Sequence, residues 1–232
     1  MITTIHSRRG FYGRINLFLM GYFEETVDLG CGIPTSAGGG IIHVTKLDIS
    51  GGCIWTKRFG QTAPSFGTAL VSDTVGNVFI TGLFEGKVDF GGGDLTSSGP
   101  GVMFLAKYDH SGNHLWSTHF GNGNSDSRIT IATAVDGGVL AAGHFEGSAD
   151  FGGGKLTSAG NRDVVIAKYD AGGNHVWSKR FGSTEDDRAT FAAVDNSGNV
   201  FVTGYLMEMV DLGKGDEPAV GVWDIFLAKF GP

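Results

Sequence analysis

The side chains best suited to chemistry in this 232-residue chain are two histidines, a set of carboxylates and one tryptophan. His43 and His144 stand at positions that are otherwise apolar, and an imidazole there is a candidate for proton transfer or ligand binding near neutral pH. Asp186 and Asp187 follow Glu185, while Asp211 and Asp216 occupy a later loop with Glu217 and Asp224. Brought together, such oxygens would suit calcium, the cofactor that the sequence raises against a reading with none. Trp223 lies in a long loop, where its ring could stack on a sugar or a protein partner. The ligand-binding candidates are therefore His43, His144 and Trp223, and the metal candidates Asp186, Asp187, Asp211 and Asp216.

Stronger catalytic signatures are absent from the sequence. It has no G-x-S-x-G, no H-E-x-x-H and no cysteine set with zinc spacing. DHSGN at 109–113, DAGGN at 170–174 and DNSGN at 195–199 resemble the opening of a calcium loop, but lack its length and its closing glutamate. Asp and Asn capping a tight turn explain them. VDFGGG at 88–93 and ADFGGG at 149–154 have neither the helix nor the Lys-Ser/Thr pair of a phosphate cradle, so their Asp is expected to bond the amides of a bend.

These candidates are set on a repeat. Apolar runs closed by glycine start at 17, 78, 139 and 200 (LFLMG, VFITG, VLAAG, VFVTG), a constant step of 61. Asp28, Asp89, Asp150 and Asp211 keep that step, as do Lys46, Lys107, Lys168 and Lys229, and as do Trp55, Trp116 and Trp177. Within the unit, NVFITGLF, MFLAKYD and HLWSTHF read as short strands, and small threonine-rich segments such as GTALVSD at 67–73 supply a fourth. Turns such as TVGN at 74–77 and HSGN at 110–113 make neighbours antiparallel. Four antiparallel strands with a small-residue inner strand describe a propeller blade, and a period of this length points to propellers or arrays.

The expected fold is all-β, a β-propeller built from four 61-residue repeats, each a blade of about four antiparallel strands. It is read as a single domain over 1–232, with repeats at about 15–73, 77–134, 138–195 and 199–230. The count leaves blade one without an inner strand and blade four without an outer one. Residues 2–6, ITTIH, could fill one vacancy by pairing with the last blade. The alternative is an oligomer in which two chains form a ring of eight blades.

Composition narrows the partners. A formal charge of −7 argues against nucleic acid, which needs clustered Lys and Arg, and Arg8, Arg9 and Arg14 read as a solvated arm. Arg14 and Asn16 interrupt the early apolar run, so neither a signal peptide nor a membrane insertion is expected. Cys31 and Cys53 are assigned to opposite faces of a blade and expected to be free thiols.

The run FEGSADFGGGKLTSAGNRDVVIAKYDAGGNHVWSKRFGSTEDDRAT at 145–190, with its copies over about residues 15–230, resembles the bacterial β-propeller repeat family called SBBP, frequent in large myxobacterial surface and secreted proteins. The resemblance implies a propeller of the cell envelope or exterior and carries no shared catalytic residues. The chain departs from the family's seven blades, and also at residues 7–14, SRRGFYGR, where an inner strand is expected. The reading that follows is a non-enzymatic binding or scaffold propeller with a carbohydrate or protein ligand. A hydrolase, an esterase or glycosidase using His43, His144 or the paired carboxylates, is the alternative, and a fragment or consensus-like propeller with no ligand of its own is a third.

Overall fold

Five tight turns among the described residues are each organised by one aspartate. In the computed structural model, which describes residues 2–9, 15–23, 30–32, 40–60, 63–121, 128–213, 215–217 and 221–231, Oδ1 of Asp48, Asp73, Asp109, Asp170 and Asp195 accepts the N–H groups two and four residues on, at 2.8–3.1 Å. A glycine with φ of 81–90° follows in each turn (Gly51, Gly76, Gly112, Gly173, Gly198). The chain reverses there and the flanking runs pair antiparallel.

Four sheets result, with no helix among the described residues. The first is β1 (Ile2–Arg9), β2 (Ile15–Phe23), β3 (Ile41–Leu47) and β4 (Cys53–Phe59), paired in that order. The second contains β5 (Ser65–Ser72) and β6 (Val78–Phe84), a small ribbon of β7 (Lys87–Asp89) and β8 (Asp94–Thr96), then β9 (Val102–Tyr108) and β10 (His114–Phe120), in the order β5-β6-β9-β10. The third is β11 (Arg128–Thr133), β12 (Val139–Asp150), β13 (Lys155–Tyr169) and β14 (His175–Phe181). The fourth has β15 (Arg188–Val194), β16 (Val200–Leu206), the ribbon β17 (Val210–Asp211) and β18 (Asp216–Glu217), and β19 (Asp224–Phe230), in the order β15-β16-β19. This is the inner, second, third, outer order of a propeller blade, three times in full and once without the outer strand.

Contacts group the chain into two units, Met1–His119 and Phe120–Pro232. In the first unit, Phe18, Met20, Ile42 and Val44 pack against Val78, Ile80, Phe104, Ala106 and Tyr108 of the following sheet. Phe59 closes that interface on Phe90 and Tyr108, ring centroids 5.3 and 5.4 Å apart. The repeated lysine and tryptophan join the sheets: Lys46 Nζ and Trp55 Nε1 both donate to the His110 carbonyl, at 2.7 and 3.2 Å. In the second unit, Leu140, Ala142, Val164 and Ile166 pack against Ala189, Val202 and Phe226, and Phe181 meets Phe230 at 5.4 Å.

Two expectations are corrected. Residues 2–6 do not close the last sheet, because they lie in β1, which pairs with its sequence neighbour β2 and gives sheet one its inner strand. Its register is displaced: Ile5 lies opposite Leu19, whereas the pairing of Leu70 with Ile80 in sheet two, stepped back by the repeat, would put Arg9 there. Of the segment 7–14, residues 10–14 lie outside the described residues.

The cysteines are also not free thiols on opposite faces. Cys31 and Cys53 form a disulfide with Cα atoms 5.4 Å apart, within the usual span for such a bond. The repeat shows why. One and two periods on, their places are taken by Gly92 with His114 and by Gly153 with His175, pairs so close that a Cβ on either glycine would overlap the imidazole. Sheet one makes the same contact covalently. The two cysteines are 22 residues apart, and closing such a loop stabilises by about 3 kcal/mol. Replacing both with serine is expected to lower the free energy of unfolding by that amount in denaturant titrations, and reductant to do the same to the wild type and nothing to the variant.

Candidate functional site

Several polar departures from the repeat gather in the second unit, at the junction of sheets three and four. The junction itself is repeated: Asp187 N–H donates to the Arg162 carbonyl at 2.7 Å, as Ser65 N–H does to Gly40 in the first unit at 2.9 Å. What differs is the charge. Asp186 lies between two guanidiniums, Arg162 Nη1 at 2.9 Å and Arg188 Nη2 at 2.7 Å. Burial would raise the Asp186 carboxyl, but the bonds and charges of Arg188 and Arg162 hold it below the ordinary carboxylate value. Asp187 is fully buried, accepting from the Ser183 N–H and hydroxyl at 2.6 and 2.9 Å and from the Met207 N–H at 3.1 Å.

Arg188 continues this chain of contacts to an aromatic pair. Its guanidinium is 5.7 Å from the Tyr205 ring centroid, and Tyr205 meets Trp223 edge-on at 4.7 Å. Trp223, 49% exposed, and Asp186 are thus brought to one patch through Arg188 and Tyr205. The loops at 183–187 and 207–208 do converge, with Thr184 donating to Glu208 at 3.1 Å. They converge on arginines and amides, however, rather than acid on acid. Asp211 is used elsewhere, its Oδ1 accepting the Gly213 and Gly215 N–H groups at 2.6 and 2.9 Å, as Asp89 and Asp150 do in their own bends. Asp216 pairs with Asp211 across β17 and β18, and its side chain lies outside the described residues. Among the described residues no three His, Cys, Asp or Glu side chains gather around a cation position.

The two histidines lie in different sheets, His43 in the first unit and His144 in the second. His43, 3% exposed, is in β3 between Gly21 and Arg58 on the neighbouring strands. Burial depresses it to about 4, so it is neutral at pH 7. His144, 7% exposed, lies in β12 opposite Arg128 and Val164. Both side chains are enclosed by their sheets rather than presented to solvent.

Two features escape sequence reading. Asp163 is buried, bonded by Arg180 and by the Ala159 N–H at 3.0 Å, and burial pushes its carboxyl up against those bonds. Its repeat equivalents are Ile41 and Val102 in the first two copies and Asp224 in the fourth, so the change from apolar to acid was visible as a signal. The second is an apolar surface on sheet four. Ile225 is 89% exposed and Leu227 74%, although Ile42, Met103 and Val164, and Val44, Leu105 and Ile166, at the same repeat positions, are buried. Phe191, 61% exposed, shares their face, since Phe191 pairs with Thr203 and Thr203 with Leu227. Tyr205, opposite both Arg188 and Ile225, joins this face to the Trp223 patch.

No protein-family model matches the chain. It is 27% identical over 218 residues, 90% of its length, to the regulatory protein FlaEY of Caulobacter vibrioides, of which it spans 22%. It is 25% identical over 199 residues, 70% of its length, to a WD repeat-containing protein of Acanthamoeba polyphaga mimivirus, of which it spans 14%. The chain thus spans less than a quarter of either relative.

Proposed function

We propose that the chain is a non-enzymatic protein-interaction scaffold of β-propeller type, and that its contact surface is the outer face of sheet four. One observation carries this reading: Ile225, Leu227 and Phe191 form an exposed apolar face at a place where the repeat otherwise buries its residues. An apolar area of that kind, rimmed by the Arg162–Asp186–Arg188 network, is the ordinary mark of a protein contact. The distant similarity to a regulatory protein and to a WD repeat protein supports it. The partner is a second copy of the chain. In each unit the covered rows are buried by another repeat sheet, and an apolar face of sheet type can pair with itself about a two-fold axis. The disulfide suits an oxidising compartment, which favours an extracellular or envelope setting. The burial of His43 and His144 gives the hydrolase alternative no support.

Sedimentation equilibrium of the intact chain across the micromolar range tests the proposal. Self-association that strengthens with salt and disappears in Leu227→Lys is expected. A chain that stays monomeric while a glycan array shows binding lost in Trp223→Ala would replace this reading with a lectin.

A further inference from the structure

We propose that Asp163 is a proton-operated latch on the segment 182–187: with a proton on it the junction of sheets three and four is held shut, and without one that segment is released. The repeat shows that the fold does not need an acid here. Ile41 and Val102 fill the same place in sheets one and two, 2% and 0% exposed. A buried ion pair where apolar packing serves elsewhere adds little stability, so its presence calls for another role.

The hydrogen bonds to this carboxyl are lopsided. Both fall on one oxygen, Oδ2, which accepts from Arg180 Nη1 and from the Ala159 N–H at 3.0 Å. Oδ1 is enclosed and accepts no hydrogen bond from the described residues. A bare carboxylate oxygen out of water is costly, and a proton on Oδ1 removes that cost without displacing either donor from Oδ2. The Arg180 side chain keeps 31% of its surface exposed, so its charge stays solvated when the carboxyl is neutral. Burial pushes the Asp163 carboxyl up and the Asp187 charge adds to the rise, against the Ala159 N–H and Arg180.

The segment is gripped at both ends. At its start the carboxyl lies against Gly182, where a Cβ would come within 2.4 Å of Asp163 Cγ. At its end Asp187, also fully buried, takes the Ser183 N–H and hydroxyl and the Met207 N–H, while its own N–H donates to the Arg162 carbonyl. The neighbouring charges are engaged otherwise, Asp186 with Arg162 on β13 and Arg188 on β15, and Glu208 with Thr184. Glu185 lies in the segment itself, and on β12 Phe145 is opposite Asp163, with Glu146 opposite Arg162 and His144 opposite Val164. Asp163 and Asp187 are left repelling one another across the junction, with Arg180 bound to the first. Once the segment opens, Asp163 ionises at its ordinary value. Opening therefore grows with pH from that value up to the raised value of the closed state, and is level above it.

The test uses the intact chain. NMR titration of the Asp163 carboxyl carbon is expected to give a midpoint above the ordinary aspartate value, with the Ser183, Asp187 and Met207 amide shifts following the same curve. Protection of those amides from hydrogen exchange, corrected for intrinsic rate, is expected to fall by about tenfold per unit of pH through the window between the two values and to level off above it. Asp163→Asn should make that protection independent of pH, and so should Asp163→Val, which restores the residue of sheet two and serves if the asparagine variant fails to fold. A midpoint at or below the ordinary value, protection that ignores pH in the wild type, or a fall kept in either folded variant would each overturn the latch. None of these results touches the interaction reading, which rests on the outer face of sheet four.

Discussion

Gly82→Ala is expected to cost about 3 kcal/mol or more, the upper end of what overpacking does in a well-packed interior, whereas Gly67→Ala, directly across the sheet, should cost far less. Gly82 closes the VFITG run, and a Cβ there would overlap the Phe66 carbonyl oxygen and come within 2.9 Å of the Gly67 Cα. Both obstacles are backbone, held by the β5–β6 ladder, and cannot swing aside. A Cβ on Gly67 instead meets Met20, 2.6 Å from its sulfur, and a thioether can change rotamer. Gly143 and Gly204 repeat the Gly82 geometry against the carbonyls of Arg128 and Arg188. Denaturant midpoints of the two variants provide the check, and equal losses would show that the inner strand is free to move away.

His43→Phe is expected to remove an acid-labile component of stability worth about 3 kcal/mol, the free energy equivalent of lowering an imidazole from 6.5 to about 4. The folded state holds His43 neutral, while the unfolded chain protonates it at its ordinary value. Its contribution is therefore complete above pH 6.5 and drains away as pH falls from 6.5 toward 4. Asp89, Asp109, Asp170 and Asp195, whose values are depressed, lose their contributions as pH falls through the ordinary carboxylate value and below it. Asp163, raised by burial, acts with the opposite sign, costing stability above its own pKa. The difference between wild type and variant, measured by urea titration at pH 7 and pH 4, isolates His43. Phenylalanine is the residue at repeat positions 104 and 226, so the fold accepts it. A difference that does not change with pH would show that the imidazole reaches water.

The blade order was legible because the step of 61 carries glycine and lysine through four copies and tryptophan through three, and because Asp-x-x-Gly turns specify hairpins without tertiary help. The Asp89 and Asp150 bends were legible for the same local reason. The disulfide is not legible from blade faces, but the step of 61 relates Cys31 and Cys53 to Gly92 and His114, which touch. The pairing of β1 was obscured by its displaced register. Trp223 and Asp186 stood out by breaking the repeat, and the structure joins them through Arg188 and Tyr205. The apolar face could not stand out, because Ile225 and Leu227 obey the repeat: their types match Ile42 and Val44, and only the covering sheet differs. Exposure of this kind depends on a neighbour and leaves no mark on the residues themselves.

The aspartate turns also have a kinetic consequence. They join β3 to β4, β5 to β6, β9 to β10, β13 to β14 and β15 to β16, so sheet two is two local hairpins whose registers are set within the turn. Hairpins of this kind close in about 1–10 μs. The seam between them, β6 with β9 for example, spans the long connection and bears its loop-closure entropy. Folding of sheet two is then the docking of two preformed ribbons, with the second-to-third strand seam as its slow event, and because the turns are already made when the ribbons dock, substitutions in them should slow folding and leave unfolding nearly unchanged.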